Sequence, residues 1–257
     1  MNRNYNWENK EERANTAQKH TTEMEKKFSK EISYSVQNTT IYNTDHTFQA
    51  LSKEVTPKFI VDDLDSVSAI FKYHSNKTAV LNFASFKNPG GKFLNGARAQ
   101  EECLCHESNL YNILSQFQDS FYTPNLKCLN RSLYQNKALY SKDVLFLHNN
   151  QEIKCGVITC AAPNYKAAHR YQRITPQENI VTLESRIKFI INISEEQQVE
   201  TLILGAFGCG VFGQDPRNVA ILFRDYLEKT CYIRNVIFAI PNSNRDSNYA
   251  IFKRIFQ

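Results

Sequence analysis

Residues 79–106 read AVLNFASFKNPGGKFLNGARAQEECLCH. The run Ala79-Val80-Leu81-Asn82-Phe83-Ala84 has the length and apolar character of a central strand covered on both faces. The loop behind it, Asn88-Pro89-Gly90-Gly91 and then Asn95-Gly96, consists of residues that accept positive φ and let the backbone come close to a ligand. Gln100-Glu101-Glu102 follows and leads into a helical segment from Cys103 to about Phe117. A strand that empties through a glycine loop into a helix is where open α/β sheets bind their ligands.

Working outward, strands are expected over 39–42, 59–61, 144–147, 157–159, 201–204 and 236–240, and helices over 65–71, 183–193, 215–229 and 249–256. Segment 123–142 reads as a long surface loop or turn series, and 165–179 as a polar surface loop carrying Lys166, His169, Arg170 and Arg173. Ahead of the first strand, residues 8–30 repeat Ala14, Ala17, Thr21, Met24 and Phe28 at helical spacing, with Glu23 and Lys27 set to pair. That apolar stripe is too thin to fold alone, so the helix is expected to pack on the main domain. Alternating strands and helices define an α/β protein, a three-layer α/β/α sandwich with a mixed central sheet and an N-terminal helical extension. The division is residues 1–38 for the extension and 39–257 for the domain.

The chain has 257 residues and a net charge of +5, mixed in sign along its length. That falls short of a nucleic-acid stripe but suits an anionic ligand such as a pyrophosphate. No run of 18 apolar residues suggests a membrane span, and the start MNRNYNWENKEER has no apolar core of a signal peptide. Seven cysteines scattered from Cys103 to Cys231 point to free thiols in a reducing compartment, cytoplasmic or nuclear. Cys103-x-Cys105-His106 lacks a second ligand pair, and no metal is expected.

Two further features carry chemistry. Thr201-Leu202-Ile203-Leu204 runs into Gly205-Ala206-Phe207-Gly208-Cys209-Gly210-Val211-Phe212-Gly213, and Asp215-Pro216 opens a helix with Asp215 at the N-cap. Free amides and the helix dipole there attract phosphate, although tight turns also need glycine for structural reasons alone. Glu101 and Glu102 sit in the first turn of a helix, where acids are stabilising in any case; read from the residues alone they are two solvated carboxylates. Being about 100° apart on the helix, they need not share a task.

The run NFAS-x-x-NPGG with ARAQEE behind it, together with LGAFGCGVFGQDP at 204–216 and ITCAAPN at 158–164, resembles the microbial-type poly(ADP-ribose) glycohydrolases, which are divergent macrodomains. The resemblance covers most of the chain and implies a macrodomain-like catalytic domain that hydrolyses ribose–ribose O-glycosidic bonds. It implies Glu102 as general acid, with Glu101 and Asn88 on ribose hydroxyls and Gln100 positioning the loop. Gly90 and Gly91 would cross the distal ribose. Gly208, Gly210, Val211, Phe212 and Gly213 would hold the diphosphate, with Phe212 beside that ribose, and one of Asp62, Asp63 and Asp65 would touch adenine. Cleavage through an oxocarbenium-like state needs a proton for the leaving oxygen and no metal or other cofactor. The implied partners are poly(ADP-ribose) or ADP-ribosylated protein, with ADP-ribose as product; no nucleic acid or membrane is implied, and the protein is expected to be a monomer. The family's third loop glycine is Lys92 here. A lysine at negative φ with its side chain in solvent leaves catalysis intact; one over the ribose or paired with Glu102 makes an ADP-ribose reader, or shifts the enzyme to mono-ADP-ribosylated substrates.

Overall fold

A computed structural model describes residues 9–49, 55–228, 230–242 and 248–257. The polar start read as lacking a signal, through residue 8, and Lys229 at the expected end of one helix lie outside the described residues. The strands are β1 (Thr39–Tyr42), β2 (Lys58–Asp62), β3 (Thr78–Phe83), β4 (Ala138–His148), β5 (Gln151–Cys160), β6 (Thr201–Leu204) and β7 (Asn235–Ala239). Among the described residues they form one seven-stranded sheet, ordered β1-β4-β5-β3-β6-β7-β2. Strands β5, β3, β6, β7 and β2 run parallel to one another, and β4 is antiparallel to both β5 and β1.

Central β3 explains its own sequence. Thr78 to Asn82 are all buried, because both faces of the sheet are covered and the polar/apolar alternation of a half-exposed strand disappears. Ala79 and Leu81 join the core beneath α7 (Pro176–Glu196), α8 (Pro216–Leu227) and α9 (Asn248–Phe256), with Ile187, Phe223 and Phe252. Val80 points the other way, into a core with Ala17 and Met24 of α1 (Lys10–Gln37), Ile70 of α2 (Ser66–Tyr73), Leu104 of α3 (Gln100–His106) and Ile113 of α4 (Leu110–Ser115). The α/β/α sandwich and its mixed sheet are therefore as expected. Asp65 caps α2 by accepting from the Ser68 amide at 2.9 Å, and Asp215 caps α8 through the Arg217 amide at 2.8 Å.

Several boundaries differ from the sequence reading. The N-terminal helix runs on to Gln37 instead of stopping near residue 30. The single helix expected over 103–117 starts at Gln100 and breaks at 107–109, where the Asn109 amide donates to the Leu145 carbonyl and the Leu145 amide to the Asn109 side chain, both at 3.1 Å. A tertiary pairing with the edge of β4 there outcompetes helix continuation. Segment 123–142 is a turn series only as far as residue 137, with α5 (Thr123–Asn125) after a wide helical turn at Gln118–Tyr122 and a 3₁₀ turn at Asn130–Ser132; its last residues are the first of β4, buried because β1 and β5 flank that strand. β4 and β5 form a hairpin closed by Asn149 and Asn150, both at positive φ of 49° and 62°, which asparagine tolerates in a two-residue turn. Segment 165–179 folds as α6 (Tyr165–Gln172), capped by Asn164, and the first turn of α7, where Thr175 and Glu178 form a capping box around Pro176. Its polar composition describes an exposed helix.

Arg186 of α7 is fully buried. Its guanidinium donates to the Asn136 side chain at 2.7 Å, to the Tyr134 carbonyl at 3.0 Å and to the Ala161 carbonyl, and no carboxylate pairs with it among the described residues. This fork ties the end of β5 to the approach to β4. Arg186→Ala is expected to lower the free energy of unfolding by about 3 kcal/mol, because buried acceptors lose their donors. Urea denaturation checks this, and a loss below about 1 kcal/mol contradicts the assignment.

Candidate active site

The end of β3 and the start of α3 are stitched together by Gln100. Its side-chain oxygen accepts from the Phe83 amide at 2.8 Å, and its amide group donates to the Leu81 carbonyl at 2.8 Å and to Ser66 Oγ at 3.0 Å. With α3 fixed against the strand, the next two residues fall under the 85–99 loop. Glu101 Oε2 accepts from the Ser85 amide at 2.7 Å and its Oε1 from Asn82 Nδ2 at 3.2 Å, while Asn82 also reaches Thr159 Oγ1 at 3.3 Å. Glu102 Oε1 accepts from the Lys92 amide at 2.9 Å and its Oε2 from the Ala99 amide at 3.0 Å. The latter is one half of a capping box; Ala99 has no side-chain oxygen to supply the other.

Both glutamates are buried, Glu101 at 3% exposure and Glu102 at 6%, so the reading of two solvated carboxylates does not hold. Their burial comes from the loop folding over them. Desolvation pushes the Glu101 carboxyl up to about 8; the Ser85 amide and Asn82 oppose this in part, and the charge of Glu102 adds to it. Gly91, at φ +63°, is the residue that permits the closure. A Cβ there would lie 2.6 Å from Glu102 Oε1 and 2.9 Å from Glu101 Oε2. Gly90 (φ +62°) packs against Tyr111 and Cys105. Lys92 follows at φ −114°, a conformation open to any residue, with its side chain exposed and in no ion pair among the described residues. Asn88 is exposed at the loop's turn, where its carbonyl accepts from the Gly91 amide at 3.1 Å.

The second loop leaves β6 at the same edge of the sheet. Among the described residues, the amides of Gly210, Val211 and Phe212 donate to no protein acceptor, which makes this bend a concentration of unpaired N–H groups before the N-terminus of α8. Gly208, at φ +75°, closes on Ala162 and Gln214, while a side chain at Gly210 would meet open space. Val211 is exposed. Phe212 is half-buried, its ring 6.2 Å from that of Tyr134, which stacks on Phe86 at 4.5 Å. Gly213 abuts Lys166 of α6, whose amide donates to the Phe212 carbonyl at 3.0 Å.

Between the loops, a cleft of about 410 Å³ runs along the carboxyl ends of the parallel strands, lined among others by Asp65, Phe83, Arg98, Gln100, Gly210 and Ile240. Of the three acids considered for adenine, only Asp65 lines it. Asp62 is engaged by Lys72 at 2.6 Å and Tyr73 at 2.5 Å, and Asp63 by the Asn242 amide at 2.6 Å. A larger hollow of about 710 Å³ lies beside the last turns of α7, against residues 47–49 and 230–232, but it has no glycine loop, and its buried carboxylate, Glu195, is occupied by the amides of Cys231 and Tyr232. None of the seven cysteines is in a disulfide. Among the described residues no cluster of His, Cys, Asp and Glu is arranged for a metal ion, and no helix is long and apolar enough to cross a membrane.

Sequence reasoning brought forward the glycines and acids but missed the residues that hold them: Asn82, Ser85 and the Phe86–Tyr134 stack. Asn82 had a signal, as the one polar side chain inside an otherwise apolar run. Phe86 and Tyr134 are separated by nearly fifty residues, and no local pattern links them.

A glycine loop closed over two buried carboxylates thus faces a second loop of unpaired amides across a strand-end cleft, an arrangement able to hold an anionic ligand beside an acid. The sequence model of the family "Microbial-type PARG, catalytic domain" matches residues 9–149. The fold is similar to poly(ADP-ribose) glycohydrolase from Thermomonospora curvata, with a TM-score of 0.85 and 26% identity over 96% of this chain and 100% of that one. It is also similar to the Deinococcus radiodurans enzyme in complex with ADP-ribose, with a TM-score of 0.76 and 28% identity over 88% of this chain and 97% of that one. No curated protein matches the sequence. The chain belongs to the microbial-type PARG family and is by class a poly(ADP-ribose) glycohydrolase.

Glu101 has a measurable consequence for stability. The folded protein retains its proton up to about 8, whereas the unfolded chain releases it in the usual carboxylate range. The folded state therefore binds the extra proton in that window, and stability falls as pH rises through it. Thermal midpoints of the wild type are expected to drop more steeply between about pH 5 and pH 9 than those of Glu101→Gln. Parallel curves contradict the buried, protonated carboxyl.

Proposed function

We propose that the chain removes terminal ADP-ribose units from poly(ADP-ribose), with Glu102 as the proton donor. The observation that carries this is the placement of Glu102: a buried carboxylate gripped by two loop amides, directly under Gly91 and next to a second buried acid. In this reading adenosine lies in the cleft beside Asp65, and the diphosphate takes the free amides of Gly210, Val211 and Phe212. The distal ribose then rests between Phe212 and the 88–91 loop. Glu101 and Asn88 bind its hydroxyls, while Gln100 works from behind by fixing α3.

Chemistry follows from that pose. Glu102 gives its proton to the oxygen of the departing ribose as the C1–O bond breaks, and the bound diphosphate offsets the positive charge that develops on the ribosyl ring. Water then adds to C1 and returns a proton to Glu102, leaving free ADP-ribose and a polymer one unit shorter. Lys92 supports the enzyme reading over a reader: its backbone amide holds Glu102, its ammonium does not pair with Glu102, and its negative φ makes glycine unnecessary. The free thiols support an intracellular setting, and the exposed polar surface at Lys87, Asn88 and Lys92 suits an anionic polymer.

Glu102→Gln is expected to keep ADP-ribose affinity by calorimetry and to slow release of ADP-ribose from the polymer by about 10²- to 10⁴-fold, the usual contribution of a positioned acid. Equal loss of binding and turnover contradicts the role. Lys92→Gly is expected to leave turnover unchanged; a large gain would show that the lysine obstructs the ribose.

A further inference from the structure

Both donors that hold Glu102 come from one short segment, because Lys92 and Ala99 flank a 3₁₀ turn, Phe93–Asn95, and the Gly96 bend. The segment is closed on itself: the Ala97 amide donates to the Lys92 carbonyl at 3.1 Å and the Gly96 amide to the Phe93 carbonyl at 3.0 Å. It moves, if at all, as a unit. What fixes this unit from outside is the N-terminal helix. Arg13 Nε donates to the Gly96 carbonyl at 2.7 Å. Gly96, at φ +70°, lies so close to α1 that a Cβ would meet the Lys10 carbonyl oxygen at 2.2 Å and the Ala14 nitrogen at 3.0 Å. About two turns further on, His20 meets the buried Phe93 edge-on, with ring centroids 6.4 Å apart, and its Nε2 is 2.8 Å from the Ser108 carbonyl just past the end of α3.

We propose that α1 is a working part of the active site, with Arg13 as a positioning residue that acts through Gly96 on the two amides gripping Glu102. Nothing in α1 touches the substrate. Its first turns clamp the 92–99 segment from behind, so the Lys92 and Ala99 amides hold a fixed distance to the carboxylate and present Glu102 in one orientation to the leaving oxygen. Releasing the clamp lets both amides drift together, and a proton donor displaced by a fraction of an ångström works poorly while the phosphate loop and the cleft wall outside Arg98 and Ala99, on other elements, still bind. The N-terminal helix is thereby a place where anything that lifts it from Gly96 turns catalysis down without emptying the site.

This rests on Glu102 as the acid, and the experiment keeps the two claims apart. Full-length Arg13→Ala is compared with Arg13→Lys, with Met24→Ala, a buried residue further along α1, and with Glu102→Gln. The expected result is that Arg13→Ala lowers kcat on poly(ADP-ribose) by about tenfold or more, with KM and ADP-ribose affinity unchanged and a displaced pH profile of kcat. Arg13→Lys recovers part of the rate. Met24→Ala lowers the thermal midpoint and leaves kcat where it was. The inference is overturned if Arg13→Ala leaves kcat and its pH profile unchanged while Glu102→Gln is inactive, or if Met24→Ala lowers kcat as much as Arg13→Ala does. An active Glu102→Gln instead removes the acid assignment itself.

Discussion

The structure turns on a carboxylate held by backbone. Burying Glu102 beside Glu101 is costly unless the oxygens find donors, and the fold meets that demand with main-chain N–H groups of Lys92 and Ala99. The constraint propagates in both directions. The loop must double back so that residues 92 and 99 face the same carboxylate, which requires Gly91 at positive φ with no side chain above it, and Gly96 at positive φ against α1. Behind the carboxylates, the first turn of α3 must be held against the end of β3, which is what Gln100 secures.

The sandwich supplies the rest. Because β3 is the middle strand and runs parallel to β5 and β6, the loops leaving β3 and β6 emerge at one edge, facing each other across the cleft. The acids thus come from the helix that follows one loop and the free amides from the other loop, and neither loop alone makes a site. Arg186 performs a similar service at the flank, holding the Tyr134 and Ala161 carbonyls from within and so supporting the wall of Phe86, Tyr134 and Phe212.

Much of this was legible in the sequence, for physical reasons that differ by element. β3 and β6 declared themselves as continuous apolar runs because they are buried on both faces, and Asp65 and Asp215 were readable as caps because N-caps follow a local rule. The boundaries that failed depended on distant partners. The helix broken at 107–109 reads as continuous until β4 competes for its backbone, and the exposed helix α6 looks like a loop because almost none of its side chains enter a core. At the site, Glu101 and Glu102 could be named, yet their burial could not, since adjacent acids at a helix start are ordinarily solvated. Burial here is a property of the loop that covers them. Lys92 shows the reverse: its residue type suggested an obstacle, and only its backbone angle revealed that the loop's path does not need a glycine there.

The most direct measurement is the fate of polymer mixed with the wild-type protein: purified chain incubated with poly(ADP-ribose) of defined length, with free ADP-ribose and remaining chain length followed over time. The account predicts that free ADP-ribose accumulates from the start while chains shorten gradually. Tight binding of the polymer with no ADP-ribose released would contradict it, and would make the buried carboxylates part of a binding site only.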